Sequence, residues 1–202
     1  MNEKCWYHNA LIWSGILIIL IILGFYTLFQ TYKPNRYQTV SYNHFDFIKA
    51  GGLWNTEWQK GNTIFNIRLR FNPYDVKNVS VSGIFDPGFN KPTIYITFDP
   101  EAGNFTTMSL AAAELSINMV QAIGITPIAA CATNITDICT ERPIIKCGDT
   151  NKSVIYLLGQ GESGIAARGT CIILLGEGLE LLKSVDRLLY AWYNIMPVTS
   201  VR

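Results

Sequence analysis

Residues 10 to 29, "ALIWSGILIILIILGFYTLF", run for 20 positions without a charged side chain, and no other feature limits the chain so sharply. A helix rises about 1.5 Å per residue, so such a run reaches about 30 Å, the depth of one hydrocarbon core. It predicts a transmembrane helix acting as a signal anchor, with membrane lipid as the partner of residues 10–29. A cleaved signal peptide has a shorter apolar core and a small-x-small cleavage site. Here the run ends in Phe25, Tyr26 and Phe29, which suit an interfacial aromatic belt, and no lipobox surrounds Cys5. Residues 1–9 then form a short inner tail, 30–36 a polar linker ending in "TYKPNR", and 37–202 a single external domain.

Basic residues do not orient the span, because Lys4 precedes it while Lys33 and Arg36 follow it. The cysteines do. Cys131, Cys139, Cys147 and Cys171 all lie beyond the run, and an even count in one small domain reads as a disulfide framework in an oxidising compartment. A metal site needs close pairs such as C-x2-C, whereas these gaps are seven, seven and 23 residues with no histidine nearby. A redox centre needs C-x-x-C or an activated thiolate, and the spacing offers neither. Four cysteines allow three pairings. Closure of the "ATNITDI" loop favours Cys131–Cys139, and Cys147–Cys171 then joins two strand ends.

Four N-x-S/T triplets, at Asn78, Asn104, Asn134 and Asn151, also follow the run, against roughly one expected from average composition. Cysteines and sequons together predict an N-glycosylated domain outside a cell membrane, single-pass, with the N-terminus inside.

Beyond the linker the pattern alternates. In "TIFNIRLRF", Phe65, Ile67, Leu69 and Phe71 share one face while Asn66, Arg68 and Arg70 share the other. "HFDFIK" and "LWNTEW" alternate likewise, with turn signals at Gly51-Gly52 and Gly61-Asn62, so 37–71 reads as a three-stranded antiparallel β meander. Strand potential recurs at Val79–Ile84 and in "TIYITF", "TPIAAC", "PIIKC", "SVIYLL" and "TCIILLG". "TMSLAAAELSINMVQAIG" is helical, with Leu110, Ala113, Ile117 and Val120 as its apolar stripe and Gly124 as its C-terminal stop. A last helix spans about 177–194, burying Leu179, Leu182, Val185, Leu189 and Trp192. The predicted fold class is α+β: the transmembrane helix, the meander, and over 93–196 a two-layer α/β sandwich with two main helices on a sheet.

Catalytic chemistry finds little footing. The net charge is +1, from 16 basic and 15 acidic residues scattered along the chain, which excludes nucleic acid as a partner. His8 and His44 are the only histidines, and there is no G-x-S-x-G, H-E-x-x-H or P-loop. "GQGESG" (159–164) lies between two β-rich runs and reads as a hairpin loop. Asp99 and Glu101 sit in a strand-end turn, Glu114 needs a partner, and Asp186 and Arg187 read as braces for neighbouring strands. No catalytic, cofactor-binding or metal residue is assigned, no cofactor is implied, and the chain does not read as an enzyme. Trp54 and Trp58 are the candidate ligand-stacking residues, with core packing as the simpler role.

The segments "SYNHFDFIKAGGLW", "IYITFDPEAGNFTTMSLAAAELS", "GITPIAACATNITDICTERPIIKC" and "CIILLGEGLELLKSVDRLLYAWYNIM" together resemble uncharacterised single-span, externally exposed envelope proteins of small-genome (DPANN-type) archaea. A weaker, fold-level likeness is to non-catalytic α/β domains that precede glycoside hydrolase barrels. The resemblance implies an archaeal cell envelope and assigns no site residue. The expected function is that of a membrane-anchored, disulfide-stapled structural or interaction protein whose partner is an envelope protein or glycan, with homo-oligomers allowed. The alternatives are a glycan-binding module and a pilin-like filament subunit. A pilin would need a basic-Gly processing site, and Lys4 lies far from Gly15.

Overall fold

The computed structural model describes residues 3–31, 37–84, 89, 93–149 and 151–197. The chain divides into two compact units, Met1–Tyr37 and Gln38–Arg202. The first carries one helix, α1 (Glu3–Thr31). Its large apolar side chains are exposed, with Trp13 at 70%, Leu20 at 61% and Phe25 at 69%.

Among the described residues no helix is long and apolar enough to cross a membrane. That finding overturns the transmembrane helix expected over 10–29. The side chains of α1 are described from Trp13 to Leu28. The side chains of residues 10–12 and 29, with Phe29 of the expected aromatic belt, lie outside the described residues, as do His8, Cys5 and positions 32–36 of the linker.

The second unit holds two separate sheets, one of four strands and one of six. β1 (Thr39–Tyr42), β2 (Phe45–Ala50), β3 (Leu53–Lys60) and β4 (Thr63–Leu69) pair antiparallel in chain order. The meander thus has four strands rather than three. β1 is too short to announce itself, and it joins β2 through the two-residue turn Asn43-His44, both with positive φ (46° and 68°). Such turns suit the twist of paired strands, and Asn accepts the left-handed conformation readily. The alternation holds: Phe47, Trp54, Ile67 and Leu69 are buried on one face while Glu57, Asn66 and Arg68 are exposed on the other.

The second sheet is mixed, in the order β5 (Ser80–Gly83), β9 (Gly164–Arg168), β10 (Cys171–Leu175), β8 (Ser153–Leu158), β6 (Thr93–Phe98), β7 (Thr126–Cys131). β10, β8, β6 and β7 are parallel neighbours, β9 is antiparallel to β10, and β5 is parallel to β9. "GQGESG" is not a hairpin loop, because β10 lies between β8 and β9, and the tight turn falls at Gly169-Thr170. "PIIKC" forms no strand beyond a single bridge, Cys131 to Ile144.

Two helices lie between the sheets, so the expected two-layer sandwich is a three-layer one. Besides the single turn α2 (Pro73–Val76), these are α3 (Phe105–Asn118), which connects β6 to β7, and α4 (Leu179–Trp192), which follows β10. The physical cause is the meander's apolar face, which needs a cover that the second side of α4 supplies. On one side of α4, Ser184 donates to the Leu175 carbonyl (2.6 Å) and accepts from Gly164 N–H (2.9 Å) in the mixed sheet. On the other, Tyr190 packs edge-on against Phe47 of the meander, and its hydroxyl donates to the Phe71 carbonyl (2.7 Å). Hence Ser184, Asp186 and Arg187 are buried along with the expected Leu182, Val185 and Leu189, while Leu179 is 62% exposed.

α3 turns the opposite stripe inward from the one expected. Met108, Ala111, Leu115 and Met119 are buried, whereas Ile117 and Val120 are 54% and 50% exposed. Glu114 is the helix's only charge, so both stripes read as apolar in sequence. Asn104 caps its start by accepting from Thr107 N–H (3.3 Å), and Gly124, at φ 81°, ends the π-turn that follows.

Among the described residues the far face of the mixed sheet has no α-helix, only the 3-10 turn Asp137–Cys139. Tyr95, Tyr156 and Ile173 with Ala130, Val154 and Cys171 form a second, smaller core around Ile145, which comes from an irregular strap over 132–149. Cys131–Cys139 and Cys147–Cys171 are the two disulfides, and they tie the strap to β7 and β10.

Candidate functional site: a groove on the meander

Alternation along β2, β3 and β4 sends Asp46, Ile48, Asn55, Glu57 and Asn66 to the meander's outer face, with Glu57 opposite Asn66 in register. The C-terminal end of α4 borders that face. Asn43 Nδ2 donates to the Ile195 carbonyl (3.1 Å), and Trp58 Nε1 donates to the Tyr193 carbonyl (2.9 Å), so the β1–β2 turn and mid-β3 hold residues 192–195 in place. Asn194 adopts φ 57° to make the bend. The result is a groove of about 1020 Å³ lined by these residues together with His44, Trp58, Gln59 and Trp192.

The described lining carries two carboxylates, Asp46 and Glu57, and no Lys or Arg. Its field therefore favours neutral or cationic polar ligands over anions. Some of its polar groups are already committed: Asp46 accepts from Ser41 Oγ (2.6 Å), and the Asn55 amide donates to three carbonyls around the β2–β3 turn.

The sequence-selected tryptophans divide. Trp54 is buried under the meander, with the Lys49 ammonium 5.5 Å from its ring centre, and no ligand can stack on it. Trp58 is half-buried, packs on Tyr193 and Phe65 at centroid distances of 5.1 and 5.9 Å, and shows one edge to the groove. Reasoning from sequence missed Glu57, Asn66 and Trp192; the outward half of the alternation was the signal that could have found the first two.

A buried carboxylate with a perturbed pKa lies elsewhere and is sealed. Asp186 is 1% exposed, and its Oδ2 accepts from the backbone N–H groups of Arg70 (2.9 Å) and Phe71 (2.7 Å) just past β4. Burial pushes its pKa well above the usual carboxylate range, and the nearby Glu114 carboxylate adds to this, against the two N–H donors and the Arg70 charge. Arg70 Nε reaches Glu114 Oε1 at 3.0 Å, while Glu114 Oε2 is buried without a hydrogen-bond partner among the described residues. Arg187 donates to the Met196 carbonyl (2.8 Å). Asp186 and Glu114 thus brace the end of β4, Arg187 braces the chain after α4, and the three line none of the described concavities.

In open α/β sheets ligands favour the crevice where strand order reverses, at the carboxyl ends of the strands. Here β7 and β8 flank β6 on opposite sides, and the crevice between β6 and β8 is filled by backbone: a Cβ on Gly103 would come within 2.7 Å of the Gly159 carbonyl oxygen. Asp99 beside it accepts from Glu101 N–H (3.1 Å) and Thr133 Oγ1 (3.3 Å), closing the turn. A smaller hollow of about 290 Å³ between Asp99, Lys146 and Tyr156 adjoins Cys147. Burial and the Asp99 charge raise the Tyr156 pKa there.

The four sequon asparagines, Asn78, Asn104, Asn134 and Asn151, are all exposed. No group of three or more His, Cys, Asp or Glu side chains among the described residues is placed to hold a metal ion. Comparison with protein families, characterised proteins and solved structures returns no match for the chain.

Proposed function

We propose that the chain is a structural or interaction protein of an oxidising compartment outside the cytoplasm, where the 38–202 unit presents a rigid surface to an envelope partner. The exposed apolar surface of α1 serves as its attachment element. The carrying observation is the pair of disulfides that fasten the strap over the β7, β6, β8 and β10 part of one face of the mixed sheet. Cytosolic thiols are kept reduced, so a fold that depends on two bridges belongs where they persist. The likeness to envelope proteins of small-genome archaea agrees with that placement. The test is peptide mapping, without reduction, of protein taken from its native cells. Both bridges should be found intact, whereas alkylatable Cys131 and Cys139 would overturn the reading. Cross-linking in the same cells then identifies the partner.

The groove favours a second reading, recognition of a neutral glycan. An open, amide- and carboxylate-lined trough edged by Trp58 and Trp192 suits a polyol, which offers hydroxyls for hydrogen bonds and C–H faces for aromatic contact. Retention on an array of neutral polysaccharides should fall with Glu57→Gln and Trp192→Ala. An array without signal for the unaltered protein removes this reading and leaves the first intact.

A further inference from the structure

We infer that the domain carries N-linked glycans on Asn78, Asn104 and Asn134, gathered at one end of the mixed sheet, and none on Asn151. This rests on the external placement proposed above.

The topology makes the grouping. β6 and β7 are parallel, and Asn104 and Asn134 follow their carboxyl ends, which are tied by Ala132 N–H to the Phe98 carbonyl (2.9 Å) and by Thr133 Oγ1 to Asp99. Asn78 leads into β5, whose first residue, Ser80, pairs with Gly164; Gly164 in turn pairs with Leu175, the last residue of β10. Because β5 and β9 run opposite to the other four strands, the entry to β5 lies at the same end as the exits of β6, β7 and β10. Asn151 instead leads into β8, whose second residue, Val154, pairs with Cys171 at the start of β10, so it lies at the far end.

The acceptor hydroxyls separate the sites the same way. A sequon is read as asparagine plus hydroxyl, both presented at the surface. Thr106 and Ser80 are exposed, and Thr136 is half-buried with only a long contact to Cys139 Sγ (3.7 Å). Ser153, the hydroxyl partner of Asn151, is 0% exposed and donates to the Phe89 carbonyl at 2.6 Å. In the folded domain that triplet cannot be read.

The co-reactant is an oligosaccharide activated as a phosphate or diphosphate ester. The asparagine Nδ2 forms a bond to the anomeric carbon, the anomeric C–O bond breaks with its electron pair leaving on the phosphate oxygen, and one amide proton passes to solvent. At Asn104 the helix cap uses Oδ1, so substitution at Nδ2 leaves the cap in place.

The test uses protein purified from its native cells, alkylated, digested without reduction and read by mass spectrometry. Sugar-mass additions are expected on the peptides holding Asn78, Asn104 and Asn134, with the Asn151 peptide at its bare mass. In the same host, Thr106→Val should remove the addition at Asn104 alone, and Thr106→Ser should restore it. Bare peptides at the three sites, or sugar on Asn151, overturn the inference. If both bridges are intact in that sample, the compartment reading survives; free Cys131 and Cys139 bring both down.

Discussion

One face of the mixed sheet is covered by two 14-residue helices, the other by an irregular strap tied at two points through sulfur. The helix side is held by packing. Leu181, Leu182, Val185, Leu188 and Leu189 are each at most 1% exposed, and each helix satisfies its own backbone hydrogen bonds along its length. The strap has neither resource. Of its isoleucines only Ile145 is buried, while Ile135, Ile138 and Ile144 are 59%, 41% and 41% exposed. Its backbone leans on β7 through Cys131 N–H to the Pro143 carbonyl (3.1 Å) and Ile145 N–H to the Cys131 carbonyl (2.9 Å). A segment with so little apolar anchorage cannot offset its own ordering entropy by burial, and the covalent ties supply the difference by narrowing the unfolded ensemble. Placement of the protein and stability of its second face are therefore the same question.

The largest expected effect comes from cutting those ties. Sequence separations of 8 and 24 close loops worth about 2.6 and about 3.5 kcal/mol in the chain-entropy account, roughly 6 kcal/mol together. Reduction should lower the unfolding free energy by about that amount, and hydrogen exchange should rise first over 132–149. If strap amides stay as protected as those of α4 after reduction, sulfur is not what holds the cover. Leu189→Ala probes the other face. A fully buried leucine lost from α4 should cost about 3 kcal/mol, measured by denaturant titration, and leave strap exchange under native conditions unchanged. A strap that loosens in step with it would show that the two faces are not separately held.

Much of this architecture was legible in sequence, and what escaped shares a cause. Local patterns carried the meander's inward face, β6, β8, β10, the Gly124 stop and the short Cys131–Cys139 loop, because period and turn chemistry are properties of neighbouring residues; Cys147–Cys171 was the pair then left over. Contacts between layers were not local. Nothing near Asp186 announces that its carboxylate ends β4, 116 residues earlier in the chain. α3 misled because an almost uncharged helix has two apolar stripes, and only the neighbouring α4 chooses between them. The strap looked like a strand at "PIIKC" for the same reason: β-rich composition needs a partner edge, and only Ile144 meets one. Of the groove, Trp58 alone was singled out, and for stacking rather than for the bond that fixes its rim.

Asp186 sharpens the contrast from the helix side, since it is a polar tie where packing otherwise dominates. Asp186→Ala strands the N–H groups of Arg70 and Phe71 in a buried place and should cost about 2 kcal/mol. Asp186→Asn keeps an acceptor oxygen and removes the charge, so at neutral pH it should be neutral or stabilising by about 1 kcal/mol. The pH dependence carries the sign. A carboxyl whose folded pKa is raised gives stability that is fully present below its unfolded value, near 3.9, and is lost as pH climbs through the folded value. Denaturation midpoints of the unaltered protein should therefore decline from about pH 4 upward, with a shallower decline in Asp186→Asn. Equal slopes in the two proteins would assign the dependence to other groups.

The smallest effect tests the strap's one buried side-chain tie. Thr97 lies on the strap-facing side of β6, fully buried, and its hydroxyl donates to the Ile145 carbonyl at 2.9 Å. Valine matches its shape and removes the donor, leaving that carbonyl buried and unpaired, which should cost about 1 kcal/mol. With both disulfides in place the loss should appear mainly as faster exchange around 143–147, because sulfur still limits how far the strap can open. After reduction the same substitution should tell more, since that hydrogen bond is then one of the few specific contacts left between strap and sheet. A Thr97→Val effect that is the same in oxidised and reduced protein would mean the two kinds of tie act independently, and that the strap opens in pieces rather than as one cover.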